Sequence, residues 1–132
     1  MDTTGLVLGV VVHAADVQDV LGARQLLGKV QGLLPRLRLI WADGGYMGSL
    51  IEWVRSVCGW TLEIVKRDRH LHHFVVLPRR WVVERTFAWL GRYRRLSKDY
   101  EYLTSRSEAM IYLAMTQLMV RRLARQQAAL GP

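Results

Sequence analysis

A chain of 132 residues with 51% hydrophobic side chains has the size of one domain and enough apolar material for a core, which excludes a disordered tail. Cys58 is the only cysteine, so no intramolecular disulfide forms and a reducing, cytoplasmic setting is expected. The net charge of +8 favours a polyanionic partner, with nucleic acid the usual one.

The chain opens on the turn signal Asp2-Thr3-Thr4-Gly5, followed by the apolar, β-branched run 6–12, which reads as a strand. Such a turn ordinarily joins two antiparallel strands, and only Met1 precedes it. The expectation is therefore that the chain begins inside a domain. Asp16 or Asp19 can cap a helix to about residue 34, with Val20, Leu21, Leu26, Leu27, Val30 and Leu34 at helical spacing. Pro35 ends it. Residues 37–42 read as a buried strand closed by Asp43-Gly44-Gly45, 49–58 as a helix stopped by Gly59, and 60–65 as a third strand. Residues 66–79 form a polar loop with His70, His72 and His73 and a short apolar piece at 74–77. Without cysteine beside them, these histidines read as a cationic loop rather than a metal site. Pro78 precedes a helix over about 80–96, and a final amphipathic helix, capped by Thr104 or Ser105, runs to about 127. Its apolar stretch is too short to span a bilayer. The alternation of strand and helix predicts an α/β domain with a largely parallel sheet.

The charge is local. Residues 1–65 carry five basic and six acidic side chains, whereas 66–106 carry eleven basic against four acidic. In that segment Trp81, Phe87, Trp89 and Tyr93 interleave with the arginines, a pattern suited to tracking a phosphate backbone. Two carboxylates stand out. Asp43 ends an apolar strand, the place where α/β sheets present functional side chains, and the two glycines after it allow a sharp turn. An aspartate that merely ends the strand in an Asx-turn is the plainer reading. Glu84 lies between Val83 and Phe87, near what reads as the buried edge of its helix, with Arg80 one turn earlier; an ordinary surface ion pair is the plainer reading there. Cys58 reads as an inert thiol at a helix end, and Met110, Met115 and Met119 read as core.

Trp41-Ala42-Asp43-Gly44-Gly45-Tyr46, the long block from Leu77 through Arg80, Trp81, Val82, Val83, Glu84 and Arg85 to Leu90, and then Arg94-Arg95-Leu96-Ser97-Lys98-Asp99-Tyr100-Glu101, closely resemble the bacterial insertion-sequence transposases of the DDE superfamily. The resemblance covers nearly the whole chain. It implies a ribonuclease-H-like fold, here the C-terminal portion of the catalytic domain: a single truncated domain over 1–132, with sheet and helices in 1–96 and a C-terminal helical part in 97–132. It further implies DNA strand cleavage and transfer with Mg²⁺ or Mn²⁺, Asp43 and Glu84 as the second and third acidic ligands, and Arg80 as a signature residue. Gly91 occupies the position of the family's later basic residue, leaving Arg92 or Arg95 as substitutes. No position matches the first acidic ligand, since Asp2 falls in a turn and Asp16 and Asp19 at a helix start.

On this reading the first two strands of the family sheet are absent, and 6–12 is expected to be an open-edged strand prone to aggregate or re-pair. The DNA contacts are expected at Arg80, Arg85, Arg92, Arg94, Arg95 and Lys98, with insertion-sequence ends and target DNA as partners at the bacterial nucleoid. A homo-oligomer or an upstream-encoded transposase half is a further expected partner. These residues alone are expected to lack strand-transfer activity. The alternative is a non-catalytic DNA-binding or inhibitory remnant of such an enzyme.

Overall fold

The structure is a computed structural model that describes residues 1–65 and 80–131. The histidine-bearing loop, its apolar piece at 74–77 and Pro78 lie outside the described residues. The architecture mixes helices with a small sheet, in the order α1 (Asp19–Val30), β1 (Leu39–Ala42), α2 (Ser49–Trp53), β2 (Thr61–Ile64), α3 (Arg80–Gly91) and α4 (Thr104–Leu130). The chain divides into two compact units, His13–Leu77 and Met1–Val12 with Pro78–Pro132.

In the first unit β1 and β2 pair in parallel, with Leu39 opposite Thr61 and Ala42 opposite Ile64. Parallel strands need a covering crossover, and α2 supplies it. Its Leu50 and the following Val54 are almost wholly buried and pack with Val30, Trp60 and Leu62. Truncating either would leave a cavity, at a cost of roughly 2–5 kcal/mol for Leu50→Ala. On the outer face of the sheet, Trp41 donates its indole N–H to the directly opposite Glu63 at 2.9 Å, a cross-strand pair that pins the register.

The helix expected over 49–58 forms, but its second half, Val54–Cys58, is a π-helical turn. Ser56 Oγ donates back to the Glu52 carbonyl at 2.8 Å, which competes with regular helical bonding. Gly59 closes it at φ +70 with its amide on the Arg55 carbonyl, the left-handed end expected there. Helix α1 is shorter than its apolar spacing predicts. It stops at Val30, because Gln31 turns to extended backbone and sends its side-chain amide to the Val57 carbonyl. Its N-cap is Gln18, so neither Asp16 nor Asp19 caps it; Asp19 instead sits in the first turn, where its charge complements the helix dipole.

The second unit overturns one expectation. The opening turn forms, with Asp2 and Leu6 bonded through the backbone at 2.8 Å and Asp2 Oδ1 accepting from the Thr4 amide, the Thr4 hydroxyl and the Leu6 amide. Residues 6–12, however, belong to no sheet among the described residues. Two of their amides are taken by side chains of α4: Val10 donates to the Tyr112 hydroxyl and Val12 to the Glu108 carboxylate, both at 3.0 Å. At Val10 and Val12 the acceptors lie on a helix surface, and no strand pairs with 6–12 among the described residues.

Helix α3 ends at Gly91 and a short 3₁₀ turn, Arg94–Leu96, follows in place of the longer helix expected. Tyr93 donates its hydroxyl to the Ala114 carbonyl, tying this corner to α4. The N-cap of α4 is Leu103, without a side-chain cap from Thr104 or Ser105. Met115 is buried, whereas Met119 is exposed, so the methionine series is only partly core.

Candidate functional site

Asp43 stands where the sequence puts it, directly after β1 at the carboxyl end of the parallel pair. Its backbone is extended, and the 3₁₀ turn Gly44–Tyr46 begins beyond it. The side chain is exposed, and Oδ1 accepts the Gly45 amide at 3.0 Å. This is the Asx-turn of the plainer reading, yet it also holds the carboxylate in one orientation facing solvent. Burial, reinforced by the charges of Asp19 and Asp43, pushes the Tyr46 phenol above its ordinary value.

Glu84 corrects its expectation. The buried face of α3 is made by Val82 and Thr86, so Glu84, offset from both, is 68% exposed, and Val83 and Phe87 are exposed with it. Arg80 does lie beside it, Nε to Oε1 at 3.6 Å. Between two exposed side chains such a pair adds little stability; it orients the carboxylate and places a cation next to it.

Both carboxylates offer hard, solvent-facing oxygen donors, the chemistry that a hydrated divalent cation such as Mg²⁺ or Mn²⁺ accepts. Asp43 belongs to the first unit and Glu84 to the second. Among the described residues no group of three or more His, Cys, Asp or Glu side chains is gathered in the manner of a metal centre. The donor type fits; the donor number is that of two separate ligands.

The six basic residues expected at DNA fall into two sets. Three have intramolecular partners: Arg80 with Glu84, Arg95 with the largely buried Glu101, and Arg85. Arg85 is sandwiched between the indoles of Trp81 and Trp89, at 4.5 and 4.6 Å, and donates to the Thr4 carbonyl at 2.8 Å. The other three, Arg92, Arg94 and Lys98, are exposed around the 3₁₀ turn with no side-chain partner among the described residues. His70, His72 and His73 lie outside the described residues.

Sequence reasoning missed the role of Thr86, which is fully buried and donates its hydroxyl to the Gly5 carbonyl at 2.7 Å. It also missed the stack that Arg122 of α4 extends, 4.8 Å over Trp89. The spacing carried the signal. Trp81, Arg85 and Trp89 recur every four residues and so line one face of α3, where rings and guanidinium must meet.

A family model described as "Transposase DDE domain" matches residues 1–119. The "Putative transposase for insertion sequence element IS402" of Burkholderia cepacia is 34% identical over 108 residues, covering 76% of this chain and 50% of that protein. The chain thus spans about half the length of this relative. No solved structure matches. Among the described residues, no helix is long and apolar enough to cross a membrane. With the match running through both Asp43 and the Arg80 and Glu84 pair, the chain belongs to the transposase DDE domain family.

Proposed function

We propose that the chain is the C-terminal portion of a ribonuclease-H-like transposase catalytic domain, serving DNA strand cleavage and transfer of an insertion sequence. The observation that carries this reading is Asp43: an exposed carboxylate at the carboxyl end of a parallel strand, oriented by the Gly45 amide, within a chain matched by the family model. Asp43 and Glu84 would hold divalent metal, Mg²⁺ or Mn²⁺. Held by these two carboxylates, such a cation would supply Lewis-acid activation for an in-line phosphoryl transfer. Arg80 keeps Glu84 oriented and offers a charge for phosphate, while Arg92, Arg94 and Lys98 are available to the DNA backbone.

Two of the three acidic ligands implied by the family resemblance have a match in these 132 residues. Alignment of a metal pair depends on the third, so these residues by themselves are expected to bind DNA and not to transfer strands. That also accommodates the second reading, a non-catalytic DNA-binding remnant, which the three unpartnered basic side chains favour.

The test is cleavage of DNA bearing insertion-sequence ends, with Mg²⁺ or Mn²⁺, by the chain alone and by the chain joined to an upstream segment that supplies an acidic strand. Cleavage is expected only with that segment, and Asp43→Asn or Glu84→Gln should abolish it while sparing DNA binding. Cleavage that survives both substitutions would overturn the assignment of these residues. Binding with no cleavage in either form would select the remnant.

A further inference from the structure

The loop between the 3₁₀ turn and α4 presents two tyrosines to solvent. Tyr102 is 96% exposed, more open than any other large hydrophobic side chain among the described residues, and Tyr100 is 56% exposed. A single apolar side chain at a surface is ordinary. What sets this pair apart is how the loop is held and what surrounds the rings.

The neighbours of the two tyrosines anchor the loop. Glu101, whose side chain is only 10% exposed, takes the Arg95 guanidinium, and Asp99 accepts from the Ser107 hydroxyl at 3.4 Å. Both carboxylic side chains line a cavity together with Val12, Leu96 and Ile111. The alternate residues, Tyr100 and Tyr102, are left outside it. Their rings are therefore offered by a loop already fixed, and a contact made through them loses little chain entropy.

The charge around the rings identifies what they meet. Asp99 and Glu101 are the only acidic residues in 92–106, and both are engaged within the unit, whereas Arg92, Arg94, Lys98 and Arg106 are exposed. The core of a protein interface is depleted in charge, so rings set among cations are poorly suited to one. A polyanion that also offers flat π faces suits both features, and a nucleic-acid strand is such a partner. In a duplex those faces are taken up by base stacking, so only unpaired bases can give theirs to a side chain.

We propose that Tyr102, assisted by Tyr100, stacks on unpaired bases of DNA whose phosphates are met by Arg92, Arg94 and Lys98. This deepens the strand-cleavage reading and rests on it for DNA as the polyanion, since newly cut ends are where bases fray from their partners. Neither metal nor the acidic ligands enter it.

Fluorescence anisotropy of the full chain tests it on three labelled probes of equal length: oligothymidine, a duplex of arbitrary sequence, and an abasic sugar-phosphate strand. Oligothymidine is expected to bind more tightly than the abasic strand. Tyr102→Ala should weaken binding to oligothymidine by roughly five- to a hundredfold and leave the other two probes within about twofold of the parent chain. Its salt dependence should be unchanged, since no phosphate contact is removed. Tyr102→Phe should bind as the parent does, because stacking uses the ring and not the hydroxyl. The site is so exposed that circular dichroism of both variants should match the parent. Equal affinity of Tyr102→Ala and the parent for oligothymidine, or an equal loss in Tyr102→Phe, would overturn the proposal and leave DNA as the partner of the cations. Absence of binding to all three probes would remove the DNA reading with it. Binding to phosphatidylserine vesicles that Tyr102→Ala abolishes, with oligothymidine unaffected, would assign the ring to a membrane surface instead.

Discussion

Among the described glycines of the second unit, Gly5 is the one where an added Cβ would clash. Its φ is +87, and a Cβ built there would lie 2.8 Å from Thr86 Oγ1 and 3.1 Å from the Trp89 ring. Replacement by alanine therefore meets both a left-handed backbone and a clash that the rigid indole cannot relieve. Gly5→Ala is expected to cost roughly 1–3 kcal/mol, read as a lower denaturant midpoint with unchanged slope. Thr86→Val keeps the volume and removes the donor, stranding the Gly5 carbonyl at about 1–3 kcal/mol. The sequence marked Gly5 as a turn residue but offered no reason to join it to Thr86, 81 positions later. Arg85 had the same fate. In the sequence it is one more cation of a basic segment, and only the packing of two tryptophans around it reveals an internal fastener. Lysine at that position would keep the charge and lose the planar stack.

At the scale of elements, the helices and the two paired strands were legible because each has its own period and punctuation. The Asp43 turn, Gly59 and the start of α3 all fall where the sequence places a boundary, whereas α1 stops at Val30, short of Pro35. The segment 6–12 was not legible, since an apolar β-branched run looks alike whether its amides meet a strand or a helix. Here the Val10 and Val12 amides meet Tyr112 and Glu108, 102 and 96 positions away from their donors. Tyr112→Phe and Glu108→Ala each remove one of these acceptors. Each is expected to cost about 1 kcal/mol and to raise amide exchange at Val10 or Val12 selectively, leaving Leu62 in β2 protected. Uniformly faster exchange across both units would mean that the segment is held by something other than these two side chains.

At the scale of the whole chain, the concentration of positive charge in 66–106 was visible from composition, but composition treats all cations as equivalent. The fold separates them. Arg80, Arg85 and Arg95 are bound to Glu84, to the Trp pair with Thr4, and to Glu101, so contacting phosphate would require them to give up part of those interactions. Arg92, Arg94 and Lys98 surrender nothing of that kind among the described residues. DNA affinity is therefore expected to follow the second set and stability the first. Replacing Arg92, Arg94 or Lys98 by glutamine should weaken binding to every duplex sequence alike, and each replacement should flatten the dependence of log affinity on log salt by about one unit. The same change at Arg85 or Arg95 should instead lower the unfolding midpoint and leave the salt slope close to that of the parent chain. Titrations of one arbitrary duplex over a range of salt, run beside denaturant unfolding of the same five variants, separate the outcomes. Equal slope losses at Arg85 and Arg94 would show that the internal partners do not withhold a guanidinium from DNA, and the division drawn from the fold would fail.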